Sequence, residues 1–187
     1  MAYIYGERIR LRAPERSDIP MFVEWFGDPD VVEHLQTRLP MGLADEEVWF
    51  DNMLKRPLAE HPWVIEVKQD EAQPWKAIGN IHFLSINHVN RASEIGIVIG
   101  DKNYWDKGYG TDAMRTMVRY GFEQLNLYRI FLRVHAGNDR GIHAYKKVGF
   151  VMEGTQRAAH FQNGQYQDVY MMSILRPEWD EKQSVKG

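Results

Sequence analysis

The chain has 187 residues, of which 44% are hydrophobic and 26% charged, with a net charge of −3 and no cysteine. Such a chain buries a full core, which excludes disorder and collagen-like repetition, and its charge argues against binding to a nucleic-acid backbone. Without cysteine there are no disulfides, thiol nucleophiles, thiolate zinc sites or iron–sulfur clusters, so any thiol chemistry must arrive with a bound cofactor. Charge comes early, at Glu7 and Arg8, with no signal-type apolar run behind it and no window long enough to span a membrane. The expectation is a cytoplasmic protein without a membrane partner.

Ile9, Leu11 and Ala13 alternate with Arg8, Arg10 and Arg12, which predicts a strand with one wet, basic face, ended by Pro14. Ile19, Phe22, Val23 and Phe26 then recur at helical spacing, with Ser17 or Asp18 as cap and Gly27 as stop. A short helix over 31–35 follows the turn Asp28-Pro29-Asp30. Asp45, Glu46 and Glu47 load the positive end of a further helix whose apolar face is Val48, Trp49 and Met53. Residues 63–67, 77–86 and 93–99 read as strands of an antiparallel meander, with turns over 69–74 and 87–91. A glycine-containing loop and a helix over 108–125 come next. Then follow a strand over 129–135, a helix over 139–148, a strand over 150–153, a turn at Asn163-Gly164 and a strand over 169–174. The polar tail from Pro177 is expected to fray. Meander first and alternation later make a mixed α/β (α+β) fold in one domain.

The segment Ile97-Val98-Ile99-Gly100-Asp101-Lys102-Asn103-Tyr104-Trp105-Asp106-Lys107-Gly108-Tyr109-Gly110-Thr111 carries the strongest chemical signal. A buried strand runs into a loop that opens a helix at Gly-Tyr-Gly. The first N–H groups of a helix lack internal partners and sit at the positive end of its dipole, and glycine lets a ligand approach them. With Lys107 adjacent, this is an anion site of phosphate or pyrophosphate type. It is neither a phosphate loop ending in Gly-Lys-Ser/Thr nor a Gly-x-Gly-x-x-Gly dinucleotide fingerprint. Seven histidines are present, but none form a His-x-His or His-x-x-x-His pair, so no metal site is expected.

Downstream stand Asn138 and the run Ala144-Tyr145-Lys146-Lys147-Val148-Gly149-Phe150. Together with Gly108-x-Gly110 after a strand, they resemble the GNAT superfamily of acetyl-CoA-dependent N-acetyltransferases, and the order of elements matches from about residue 8 to 175. Two branches look closest: enzymes that acetylate protein N-termini, including those of ribosomal proteins, and polyamine (spermidine/spermine) acetyltransferases. Residues 86–92, 125–129 and 161–166 resemble the polyamine branch.

The resemblance implies one domain over residues 1–176, with residues 177–187 as a polar tail. It implies a mixed, mostly antiparallel central sheet of about seven strands flanked by about four helices, splayed between strands 4 and 5. It implies acetyl-CoA as acetyl donor, its pyrophosphate held by backbone N–H groups across Trp105, Asp106, Lys107, Gly108, Tyr109, Gly110 and Thr111. Trp105 stands where relatives have Gln or Arg, but a backbone contact does not depend on that side chain. It further implies a pantetheine arm laid against Ile97, Val98 and Ile99 like an added strand, with an N–H there polarising the thioester carbonyl, and Asn138 anchoring the arm. Tyr145 matches a tyrosine that protonates the departing thiolate, and Glu94 matches a carboxylate that acts as general base through water. The acceptor is a small-molecule amine or a peptide N-terminus. A homo-oligomer is compatible with the sequence.

Two further readings belong here. A non-catalytic sensor could keep the same acyl-CoA cleft without turnover; Tyr145 beside an intact Gly108/Gly110 pair favours the enzyme. Between Glu24 and Glu47 lie seven acids (Glu24, Asp28, Asp30, Glu33, Asp45, Glu46 and Glu47) against Arg38 alone, a negative rim that would favour cationic acceptors.

Overall fold

The computed structural model describes residues 3–35, 41–68, 70 and 72–184. It opens on two short antiparallel strands, β1 (Ile4–Tyr5) and β2 (Ile9–Arg12). Ile9 and Leu11 enter the core as the alternation predicts. The opposite face is not wet. Arg10 and Arg12 both reach Glu66 on the neighbouring strand, at 2.6 and 2.8 Å, and Arg12 also holds Asp18 at 2.7 Å. Arg10 is clasped between the rings of Tyr3 and Trp75, at 4.1 and 4.4 Å. Glu66 is 56 residues from Arg10 along the chain, so a period-of-two pattern cannot reveal that the charges are spoken for.

Three helices follow, α1 (Ile19–Gly27), α2 (Pro29–Val32) and α3 (Leu43–Met53). Phe22 and Trp25 of α1 and Val31 of α2 form a satellite core over Val64, and Ile19, Phe50 and Met53 form another between α1 and α3. The meander is β3 (Trp63–Val67), β4 (Lys76–Asn87) and β5 (Ala92–Ile99), antiparallel throughout. Next comes α4 (Tyr109–Glu123), which buries Met114, Met117, Val118 and Phe122 in the main core. The buried carboxylate of Asp112 on α4 accepts from the backbone N–H groups of Glu7 and Arg8, at 3.1 and 2.7 Å, and so ties the start of the chain to this helix.

The chain continues through β6 (Arg129–His135), α5 (Asp139–Val148), β7 (Val151–Gln162), β8 (Gln165–Leu175) and α6 (Arg176–Ser184). The β7–β8 hairpin closes at Asn163 and Gly164, with φ of 51° and 77°, a backbone that these two residue types accept in two-residue turns. The sheet order is β1-β2-β3-β4-β5-β6-β8-β7. β5 and β6 are parallel neighbours, but they pair only where Ala92, Ser93 and Glu94 meet Arg129, Ile130 and Phe131. Beyond that they diverge.

Mixed α/β architecture in one domain and the splayed sheet agree with expectation. Among the described residues the counts are higher, with eight strands and six helices rather than about seven and four. Ile4–Tyr5 adds a first strand, too short to show a period, so the splay falls between the fifth and sixth strands. β7 and β8 are also longer than the pattern predicts, because much of their ribbon is solvent-exposed and carries no apolar alternation. The tail does not fray at Pro177. It forms α6, and Trp179, 4% exposed, packs in the main core, so the folded unit runs on beyond residue 176.

Candidate active site

The divergence of β5 and β6 opens a cleft of about 930 Å³, lined from α1, α2, α3, β4, β5, α4, β6, α5 and β7. From Ile95 onward β5 has no strand partner on this side, and β6 has none from Leu132, so both present backbone groups to the cleft. Glu94, Ile97, Val98, Ile99, Trp105, Asp106, Gly108, Gly110, Thr111, Asn138 and Tyr145 all line it. The structure thus brings together residues from four separate segments. Lys107 and Tyr109 are not on its wall. The Lys107 carbonyl accepts from Arg8 at 2.7 Å, and the Tyr109 ring lies under the Arg8 guanidinium at 4.5 Å, with Tyr104 alongside.

The start of α4 is built as the sequence demands. Gly108 takes φ 81°, a left-handed conformation, and no side chain caps the helix. The contrast with α5 is direct. There Asn138 is the cap, its Oδ1 accepting from Gly141 N–H at 2.9 Å, a local role in addition to its place on the cleft wall. Trp105 donates its ring N–H to the Ile99 carbonyl at 2.8 Å, bracing the loop against the end of β5. Arg140 lies over the Trp105 ring at 3.7 Å and lines the cleft. It is the cation that sequence reasoning missed at this position; its place in the first turn of α5, just after Asn138, was the available signal.

Tyr145 is half-buried, and desolvation pushes its phenol up to about 12, with Arg140 pulling the other way. It keeps its proton at neutral pH. Glu94 is held by Arg133 of β6, with contacts of 2.8 and 3.1 Å across the mouth of the divergence. His82 on β4 lies opposite Gly96. Burial, with a contribution from Arg56, lowers it to about 4, so its imidazole is neutral. Three histidines from distant segments, His34, His135 and His160, line the cleft together, the last two stacked at 3.7 Å. Among the described residues no three His, Asp or Glu side chains are arranged to hold a metal ion.

The negative rim is weaker than its sequence suggests. Lys102 pairs with Asp28 at 2.7 Å and with Asp30 at 2.8 Å. Glu46 is buried, and Arg38 lies outside the described residues. Among the described residues no helix is long and apolar enough to cross a membrane.

An uncapped helix start and an open strand edge in one long cleft suit a ligand with an anionic head and an extended, hydrogen-bonding body, which is the chemistry of a coenzyme A thioester. Comparison with known proteins agrees. Residues 8–151 match the family model described as Acetyltransferase (GNAT) domain. The uncharacterized N-acetyltransferase p20 of Bacillus licheniformis is 30% identical over 96% of this chain and 99% of its own length. Spermidine N(1)-acetyltransferase of Vibrio cholerae is 30% identical over 93% of this chain and 96% of its own. A crystal structure of spermidine N-acetyltransferase from Vibrio cholerae, in complex with CoA and spermine, covers 93% of this chain and 99% of its own at a TM-score of 0.84 and 28% identity. This chain belongs to the GNAT family, and it is an N-acetyltransferase that takes its acetyl group from acetyl-CoA.

Proposed function

We propose that the acceptor is a small cationic polyamine, acetylated at a primary amino group. The observation that carries this reading is the likeness, over nearly the full length of both chains, to a spermidine enzyme solved with spermine. Acetyl-CoA supplies an activated acetyl thioester. The residues that would hold it are the first N–H groups of α4 from Gly108 to Thr111, the open edge of β5 at Ile97, Val98 and Ile99, and Asn138, with Arg140 as a nearby cation.

Tyr145 holds a proton at its hydroxyl and donates it to the leaving thiolate. A phenol at about 12 is protonated whenever the enzyme works near neutrality, so it acts as an acid and not as a base. Glu94 is the carboxylate placed to receive, through water, the proton an ammonium must lose before attack. Arg133 occupies its two oxygens and fixes their direction. His82 stays neutral beside that carboxylate and adds no charge that would repel a cationic acceptor.

Thiol release from acetyl-CoA is measured with spermidine, a neutral aminoacyl amide and an acidic peptide, at low and at high salt. Spermidine is expected to give the highest kcat/KM, with an advantage that shrinks as salt rises. Preference for the acidic peptide at both salts overturns the polyamine reading. Failure of every amine to stimulate release would point to a sensor.

A further inference from the structure

His82 stands in the middle of β4 and lines the cleft, in register with Gly96 of β5. A Cβ added at Gly96 would lie 3.3 Å from Cε1 and 3.6 Å from Nε2 of His82, so the imidazole lies over the space that the glycine leaves open. Glu94 is two residues before Gly96 and, by the period of a strand, shares that face of the sheet. The two ring nitrogens are not alike. Nδ1 is closed off from solvent and has no hydrogen-bond partner among the described residues, whereas Nε2 is not enclosed in this way. A neutral imidazole carries one N–H and one lone pair. An unpaired buried N–H costs more than an unpaired buried lone pair, which assigns the proton to Nε2. His82 is then a neutral donor on the cleft side. The charged groups whose fields reach it are Arg56 and Glu94, acting in opposite senses, and Glu94 is itself held by Arg133. Such a donor cannot hold an ammonium, which has no lone pair, but it can hold a water, which has two.

We propose that His82 is a positioning residue that holds, through Nε2–H, the water by which Glu94 receives the acceptor's proton. The proposal rests on the reading of Glu94 as general base and deepens it. The water accepts from His82 with one lone pair and from the ammonium with the other, and it donates one hydrogen to Glu94. As the ammonium N–H bond breaks, its proton passes to the water oxygen and the water's own proton passes to the carboxylate. The amine is left neutral with its lone pair free for the thioester, and Glu94 is left protonated. His82 keeps its single proton throughout, and burial keeps it from taking a second.

Thiol release is measured from pH 6.5 to 9.5 for wild type and variants, with acetyl-CoA and whichever of the three acceptors above gives the highest kcat/KM. His82→Leu removes both nitrogens and keeps an apolar side chain, and His82→Met does the same with a more adaptable one. Thermal unfolding of each variant confirms that it is folded. At pH 7 the kcat/KM of the acceptor is expected to fall at least about tenfold. The loss is expected to shrink toward pH 9.5, where more of the amine arrives without its proton. His82→Gln, which keeps a neutral N–H donor, is expected to retain more of the rate at pH 7 than His82→Leu. Glu94→Gln is expected to show the same pH-dependent loss. A loss of equal size at every pH overturns the relay, since that is the mark of damaged binding or packing, and so does His82→Gln no better than His82→Leu. A normal His82→Leu beside an impaired Glu94→Gln overturns the relay and leaves Glu94 standing as the base. A normal Glu94→Gln, or a wild type that acetylates none of the three, overturns the base and the relay together.

Discussion

The two ends of the cleft are made in different ways. The end proposed to hold the donor is backbone: the uncapped start of α4 and the open edge of β5, adjoining in sequence and braced by the Trp105 contact to Ile99. The other end is side chains: Phe26, Trp49 and Glu46 from the first helices, and His135 and His160 from strands about a hundred residues later. A backbone site constrains which residues may stand there through glycine and helix starts. A side-chain site is free to change with the substrate.

The comparison is sharpened first by separating chemistry from binding at the donor end. Tyr145→Phe keeps the ring against Phe150 and loses the hydroxyl. Turnover is expected to fall by about 10²–10⁴-fold with acetyl-CoA affinity nearly unchanged. Single-turnover kinetics beside calorimetry checks this, and normal turnover when chemistry limits the rate removes Tyr145 from the mechanism.

Gly110→Asp tests whether the donor site is truly backbone. An added Cβ there meets Ile99 Cγ1 at 3.6 Å, ordinary contact, so the first atom of the new side chain fits, and thermal unfolding checks that the fold is kept. Acetyl-CoA affinity is expected to drop on the order of 10²-fold, the effect of like charges brought together. Equal affinity in a titration would remove the pyrophosphate from this helix.

The end of β5 meets α1 at Gly100, where an added Cβ would lie 2.1 Å from the Trp25 ring. That ring cannot yield without moving α1 and its satellite core. Gly100→Ala is therefore expected to cost about 1–3 kcal/mol in a denaturant melt. If the wedge shifts α1, spermidine KM rises more than acetyl-CoA KM. Equal changes would mean the ends are not mechanically separable.

The smallest effect is a pH slope. His82 is lowered to about 4 in the fold from an ordinary 6.5, so above 6.5 neither state binds its proton. As pH falls below 6.5 the unfolded chain takes a proton that the native site refuses, and stability is lost until about pH 4. The contribution is at most about 1.4 kcal/mol per pH unit. Urea melts at pH 7, 6 and 5 should show it, and His82→Gln should flatten the curve by that share. An unchanged slope in the variant would place the lost protons elsewhere.

Much of the cleft wall was legible in the sequence, because its signals are local. Gly108-Tyr109-Gly110, the start of α5 at Asn138 and Tyr145 each stand in a short, patterned segment. The expectation carried no orientation: the Lys107 carbonyl and the Tyr109 ring both meet Arg8, a contact across 99 residues for Lys107. It erred on the basic face of β2 and on the acidic rim for the same reason, since Glu66 and Lys102 arrive from other elements. Trp179 shows the limit from the other direction. One large apolar residue in a polar tail gives no period, yet it anchors a helix to the core. The histidine group could not be foreseen from spacing, because it is assembled by the splay itself.

The diverging edges of β5 and β6 have a consequence for the lifetime of the protein. A strand edge without a neighbour ordinarily invites pairing with a stray chain. Here two such edges face each other inside a cleft, where a slender, extended molecule can reach and a second polypeptide cannot easily follow. A donor lodged there is also a stopper. By mass action its presence raises the free energy of opening, and amide exchange at residues 95–99 and 132–135 is expected to slow in proportion to its concentration. Without acetyl-CoA the protein is then expected to be the more easily opened form, and limited proteolysis with and without the donor checks it.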